Sequence, residues 1–241
     1  MNPMTINLEY WYGENYPPLP QIDKFDQLLQ TWHNIATTNN ISYSIVYGTL
    51  LGWRRHRNYI PYDSDVDVMI GKDDIPRLFS LLKQPWCSLN CNNRWPFPGK
   101  FHLILLESHD KQAIDSARQR YNCQGEKVTR KIDACSFNGP IGRLITSNKA
   151  SYIDIYVYHK ASSQEEVNTL EESGDCVEPC GLYCTFINSK IALPLPPVSS
   201  CQINGITTSS FIDPDPMLSV HYGKHFLKPD YLWIDGEWTK T

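Results

Sequence analysis

Residues 47–70, YGTLLGWRRHRNYIPYDSDVDVMI, decide how this chain folds. The stretch opens on Gly48-Thr49 at the end of an apolar run and passes through Arg54, Arg55, His56 and Arg57. It closes on Asp63, Asp65 and Asp67 ahead of Val68, Met69 and Ile70. Side chains two apart in a strand share a face, so Asp65 and Asp67 project together while Val66 and Val68 enter the core. Two carboxylates held that close repel each other unless a cation sits between them. Hard carboxylate oxygens suit Mg²⁺ or Mn²⁺, and Mg²⁺ is usually held by one or two carboxylates plus substrate phosphates. The Gly-Thr pair and the arginines supply donors and positive charge for phosphate oxygens. The stretch reads as a metal-dependent phosphoryl-transfer site.

Two other readings compete with it. An aspartate cluster in a loop is often a solvated turn. A calcium loop is the sharper rival, because Asp63, Asp65 and Asp67 with Asp74 mimic an EF-hand spacing. That loop needs Gly at its sixth position, where this chain has Val68, and the run Val66 to Ile70 is strand-like. The calcium reading fails.

Working outward, apolar residues at Ile22, Phe25, Leu28, Leu29, Trp32, Ile35 and Ala36 form a helical stripe from Gln21 to Thr38, ended by Asn39-Asn40. His33 lies off that stripe and reads as surface. ISYSIVY over 41–47 reads as a strand, followed by Gly48-Thr49 and a short helix carrying the arginines. Asp73 or Asp74 caps a helix through Lys83, with Pro76 near its first turn. Phe101 to Glu107 and Lys127 to Phe137 look like strands, and Trp95 to Gly99 reads as an aromatic, proline-bearing loop, either an edge cover or a substrate wall. YIDIYVY, Tyr152 to Tyr158, is a strand with one acid, Asp154, among Ile153, Ile155 and Val157. A carboxylate there is paired, metal-bound or outward-facing, and a third ligand for the aspartate pair is the favoured reading. Ser163 with Glu166 resembles a capping box. CQINGITT reads as a hairpin turning at Asn204-Gly205. Asp213-Pro214 starts a helix through Tyr222 with Gly223 as its C-cap. These elements predict an α+β fold: a mixed β-sheet flanked by helices, with a hairpin and a helix near the C-terminus. Residues 1–20 are expected to be an extended arm, 21–230 one catalytic domain, and 231–241 a tail packed outside.

Composition narrows the class. The 241 residues carry a formal charge of −4 and no basic stripe interleaved with aromatics, which argues against a nucleic-acid groove. No apolar run approaches the length of a transmembrane segment, and the first residues lack the pattern of a signal peptide. As written, the chain is expected to be cytoplasmic, or lumenal in the Golgi or ER if cut from an anchored parent. Of eight cysteines, Cys176, Cys180, Cys184 and Cys201 have spacings that a structural Zn²⁺ site would accept. Reduced, separately buried thiols are the alternative.

Strand, Gly-Thr, short helix, Asp-x-Asp strand and a later strand with a third Asp is the layout of the polymerase-beta-like nucleotidyltransferase fold. More narrowly, GTLLGWRRHRNYIPYDSDVDV resembles the signature of the LicD/fukutin family, G-T-L-L-G, then R-H, then I-P-[WY]-D-x-D-x-D. The matching positions are Gly48 to Gly52, Arg55, His56, Ile60 to Asp63, Asp65 and Asp67. Asp154-Ile155-Tyr156 and Tyr222-Gly223 with Pro229 agree with it. Tyr62 leans towards the fukutin side, and Ser64 stands where Asp or His is usual.

The resemblance implies transfer of a phospho-alcohol, such as phosphocholine or phospho-ribitol, from a CDP-activated donor to a glycan acceptor, with release of CMP. It implies catalytic Asp65, Asp67 and Asp154 holding Mg²⁺ or Mn²⁺, with Asp63 as a further ligand or a support behind the metal. Asp154 would complete the metal's ligands or accept the acceptor's proton. Gly48, Thr49, Arg55 and His56 would bind the donor phosphates, with Arg54, Arg57 and Lys131 weaker candidates. The competing functions are nucleotidyl transfer from an NTP with release of pyrophosphate, and a non-catalytic glycan- or nucleotide-binding module.

Overall fold

The computed structural model describes residues 8–81, 94–96, 101–105, 120–122, 126–132, 136–137, 140–148, 150–158 and 198–241. Among these residues the fold is α+β, a mixed sheet flanked by helices and followed by two hairpins. Its spine is β2 (Val66–Gly71) and β8 (Tyr152–Tyr158), which pair in parallel with Asp67 opposite Asp154. β1 (Tyr43–Ile45) runs antiparallel on the far side of β2. On the far side of β8 lie β7 (Gly142–Thr146), β4 (Phe101–Leu105) and β3 (Arg94–Pro96), each antiparallel to its neighbour. The order is therefore β1-β2-β8-β7-β4-β3.

The alternation in β2 and β8 explains which side of the sheet does what. Val66, Val68 and Ile70 line up with Ile153, Ile155 and Val157 and are buried in the main core. The opposite face carries Asp67 and Met69 beside Asp154 and Tyr156. Helix α2 (Ile22–Thr38) buries Phe25, Leu28, Leu29, Trp32, Ile35 and Ala36, the stripe read from the sequence. Full burial of each large apolar side chain contributes roughly 1.5–3 kcal/mol, so this face fixes the helix to the core.

Hairpin β9 (Val198–Ile203) and β10 (Ile206–Phe211) turns at Asn204-Gly205, both at positive φ as a two-residue hairpin turn requires. It packs beside β1, where Phe211 N–H donates to the Ser44 hydroxyl at 3.1 Å and the Tyr43 and Thr208 hydroxyls lie 3.0 Å apart. The C-terminal helix, Asp215–Tyr222, ends at Gly223.

Several expectations need correction. Gly48-Thr49 is not a turn before the helix but lies inside the first turn of α3 (Tyr47–His56). The N-terminal arm is not wholly extended, since Glu9–Tyr12 form a helical turn, α1, with Tyr12 buried. Asp74 is the N-cap residue of α4 (Ile75–Ser80), as expected, but its side chain makes no cap hydrogen bond. Its carboxylate accepts from the Ser42 N–H at 3.1 Å and pairs with Arg77. Between Lys127 and Phe137 the described strand residues are only β6 (Lys127–Val128), paired with β5 (Arg120–Tyr121), and a bridge at Phe137. His33 is partly buried, with its Nδ1 2.9 Å from the Tyr43 hydroxyl. The tail is a second hairpin, β11 (Tyr231–Ile234) and β12 (Glu237–Lys240), turning at Asp235-Gly236. The capping box, the end of α4's predicted helix at Lys83, Phe97 to Gly99 and the Cys176-Cys180-Cys184 ladder lie outside the described residues. Among the described residues no helix is long and apolar enough to cross a membrane.

Candidate metal centre

Asp67 is placed by its backbone before its side chain matters. Its N–H donates to the Thr49 hydroxyl at 2.9 Å, and its carbonyl accepts from the Val46 N–H at 3.1 Å. The junction between β1 and α3 thus clamps this peptide from both sides. Asp154 follows from register, sitting beside Asp67 on the neighbouring parallel strand. Asp65, two residues before Asp67, completes the group. One carboxylate oxygen from each of Asp65, Asp67 and Asp154 lies within 4.8 Å of the others. Asp67 and Asp154 are buried, and Asp65 is partly so.

Electrostatics describe a site with excess negative charge. Burial pushes the Asp67 carboxyl well above its ordinary range, and Asp65, Asp154 and Asp63 push it further. Burial also raises Asp65, with the Arg143 guanidinium pulling it back. Asp154 is raised by burial to about 6, against the same arginine. Asp63, raised by burial and then by Asp65, stands at about 7. Three converging carboxylates, two of them buried, are a donor set that a hard divalent cation would accept.

Asp63 stands just outside that triad. Its carboxylate lies against Gly48, where an added Cβ would come 2.4 Å from Oδ2. Gly48 is thus the residue that lets Asp63 sit beside α3. The residue before it, Tyr47, holds φ at +48°, an uncommon conformation for an aromatic residue. Its ring packs on Tyr156 and His221, with centroids 4.9 and 5.0 Å away.

The other expected phosphate ligands are engaged elsewhere. Arg55 is buried and donates from Nε and Nη2 to the Phe226 carbonyl at 2.9 and 2.5 Å, and from Nη2 to the Lys228 carbonyl at 2.8 Å. Its fork secures the segment after the C-terminal helix. His56 is buried with Nε2 2.6 Å from the Tyr12 hydroxyl, and burial lowers its pKa to about 3, so the ring is neutral. It braces the N-terminal arm. Arg54 forms a two-pronged pair with Asp215 at 2.5 and 2.8 Å, and Arg57 stacks over Trp53. Cys201 is partly buried in β9, and burial raises its thiol to about 12.

Sequence reasoning missed Arg143. It faces Asp154 across the β7–β8 pair, donating from Nη2 to Oδ2 at 2.7 Å and from Nε to Oδ1. The available signal was a single charge inside the apolar run Ile141 to Ile145, the mirror of Asp154 in its own strand. Reading the two strands as antiparallel neighbours would have opposed those charges.

The parallel pair presents Asp67 and Asp154, with Asp65 just before β2, beside the first turn of α3, an arrangement that could hold a metal ion. Comparison with known proteins finds that residues 40–97 match the family model described as LicD/FKTN/FKRP, nucleotidyltransferase domain. That segment contains Asp63, Asp65 and Asp67 but not Asp154. An uncharacterised protein of Rickettsia prowazekii is 45% identical over 58 residues, 24% of this chain and 22% of that protein. The lipopolysaccharide cholinephosphotransferase LicD of Haemophilus influenzae is 40% identical over 50 residues, 21% of this chain and 19% of its own length. The similarity therefore spans about a fifth of these relatives.

Proposed function

We propose that this chain is a divalent-metal-dependent transferase that moves a phospho-alcohol group from a CDP-activated donor to a glycan hydroxyl, releasing CMP. The observation that carries the reading is the convergence of Asp65, Asp67 and Asp154 within 4.8 Å, two of them inside the family-matched segment. A metal ion bound there would polarise the donor's phosphoryl oxygens and offset their negative charge.

The chain's own residues supply the rest. The first turn of α3 offers main-chain N–H groups to phosphate oxygens, as helix N-termini do, and Gly48 and Thr49 lie in that turn. Arg55 and His56, held by Phe226, Lys228 and Tyr12, serve better as supports of the site than as phosphate ligands. Asp154, gripped by Arg143, is better suited to holding the metal than to accepting a proton. In the transfer, the acceptor hydroxyl oxygen bonds to the donor's alcohol-bearing phosphorus. The bond from that phosphorus to the CMP oxygen breaks, and the hydroxyl proton leaves to a nearby base.

The test is CMP release from CDP-choline, CDP-ribitol and CDP-glycerol with Mg²⁺ and a glycan acceptor. CDP-choline is the first probe because the Haemophilus relative is named a cholinephosphotransferase. Metal-dependent CMP release supports the proposal. Pyrophosphate released from an NTP, with none of the CDP-alcohols consumed, would replace it with nucleotidyl transfer.

A further inference from the structure

We propose that Arg143 is a positioning residue for the acidic triad, and that its forked shape, more than its charge, sets the affinity for the divalent cation. The inference rests on the metal-dependent reading above.

A carboxylate offers about four lone-pair directions. Arg143 takes one on each oxygen of Asp154, because Nε meets Oδ1 and Nη2 meets Oδ2. The directions left over point away from the arginine, and in the strand register Asp67 lies on that side, with Asp154 between it and Arg143. Both partners of the pair are almost wholly out of water, at 3% and 4% exposure. The guanidinium is itself held, lying 3.6 Å from the centroid of the Tyr152 ring and 4.6 Å from that of Phe137. Neither partner can turn without the other.

Stability alone does not explain such a pair. A buried ion pair contributes little over well-packed apolar residues of the same volume. Orientation does explain it. Ligands of a metal ion are commonly fixed by hydrogen bonds from residues behind them, and losing such a partner typically lowers metal affinity or activity about 10- to 100-fold. Charge works in the opposite direction. A guanidinium beside the triad reduces its pull on a cation, so charge by itself predicts tighter binding once the arginine is neutralised. Lysine separates the two effects, keeping the charge and losing the fork.

The experiment titrates Mn²⁺ alone into the full chain and reads free Mn²⁺ by electron paramagnetic resonance. It compares the wild type with Arg143→Lys and Tyr152→Leu, with circular dichroism and thermal melts reporting the fold. Arg143→Lys should weaken Mn²⁺ binding about 10- to 100-fold. Tyr152→Leu, which removes only the ring beneath the guanidinium, should weaken it about two- to five-fold. Wild-type or tighter binding by folded Arg143→Lys overturns the positioning role and leaves the metal-dependent reading standing. If Arg143→Lys does not fold, Tyr152→Leu decides, and wild-type affinity there overturns the proposal. A wild-type chain that binds no Mn²⁺ removes the metal-dependent reading, and this inference goes with it.

Discussion

At the scale of single residues, Asp67 shows how function and stability pull apart. It is buried beside Asp65 and Asp154, and each neighbour disfavours its charge. Without a cation the folded chain carries that repulsion, whereas the unfolded chain disperses it. Asp67→Asn removes one charge without opening a cavity. It should raise the melting temperature of metal-free protein by about 2–4 °C, the shift expected for roughly 1 kcal/mol in a chain of this size. The same variant should lose both CMP release and the thermal shift that Mg²⁺ or Mn²⁺ gives the wild type. Differential scanning calorimetry with and without cation reads both effects. A metal-free melting temperature below the wild type's would show that Asp67 stabilises the fold. Asp154→Asn differs, because it strands the buried Arg143 guanidinium. Breaking one side of a buried pair costs about 3–5 kcal/mol, so that variant should be destabilised as well as inactive.

At the scale of elements, the junction of β1 and α3 shapes the site through the backbone. Thr49 sits in the first turn of α3, and its hydroxyl accepts the Asp67 N–H of β2. Thr49→Val keeps the shape and leaves that buried N–H without its acceptor, which costs about 1–3 kcal/mol. Thr49→Ser should restore most of the loss, and urea denaturation of both variants measures it. An undiminished Thr49→Val would show that the hydroxyl does not hold Asp67 in place. Gly48→Ala acts on Asp63 instead. A Cβ arriving 2.4 Å from Oδ2 must displace that carboxylate, at a cost of about 1–3 kcal/mol for overpacking.

Much of this was readable in the chain. The period-two pattern of 65–70 and 152–158 located both acid-bearing strands, and the stripe of α2 fixed the helix behind them. The hydroxyl of Thr49, the fork of Arg55 and the partner of Asp154 were not readable. Each is a contact between residues 18 to 173 positions apart, or depends on strand neighbours that no local pattern specifies. The second hairpin had a local signal, the two-residue turn pair Asp235-Gly236 between Trp233 and Trp238.

Over the described residues as a whole, Tyr12 of the arm and the last hairpin close on the residues that precede the aspartates. Tyr62, one position before Asp63, has its ring centroid 6.0 Å from Tyr12 of the arm and 4.9 and 5.2 Å from Trp238 and Tyr231 of the last hairpin. Gly13 lies against the Trp233 carbonyl, where an added Cβ would come within 2.6 Å. His56 joins this assembly to α3 through the Tyr12 hydroxyl. Its ring is neutral in the fold, because burial and then the Arg55 charge lower its pKa to about 3 from 6.5. Below pH 6.5 the unfolded chain takes up a proton at this position while the folded chain does not. Its contribution is therefore fully present above that pH and is lost as pH falls towards 3. One such group gives a slope of about 1.4 kcal/mol per pH unit across the window. His56→Gln keeps an amide within reach of Tyr12 and cannot titrate. Its unfolding free energy should fall less steeply than the wild type's between pH 6 and pH 4, by about that slope. Equal slopes in urea melts of the two proteins would mean that His56 takes up its proton inside the fold as readily as in the unfolded chain, with its Nε2–H then donating to the Tyr12 hydroxyl.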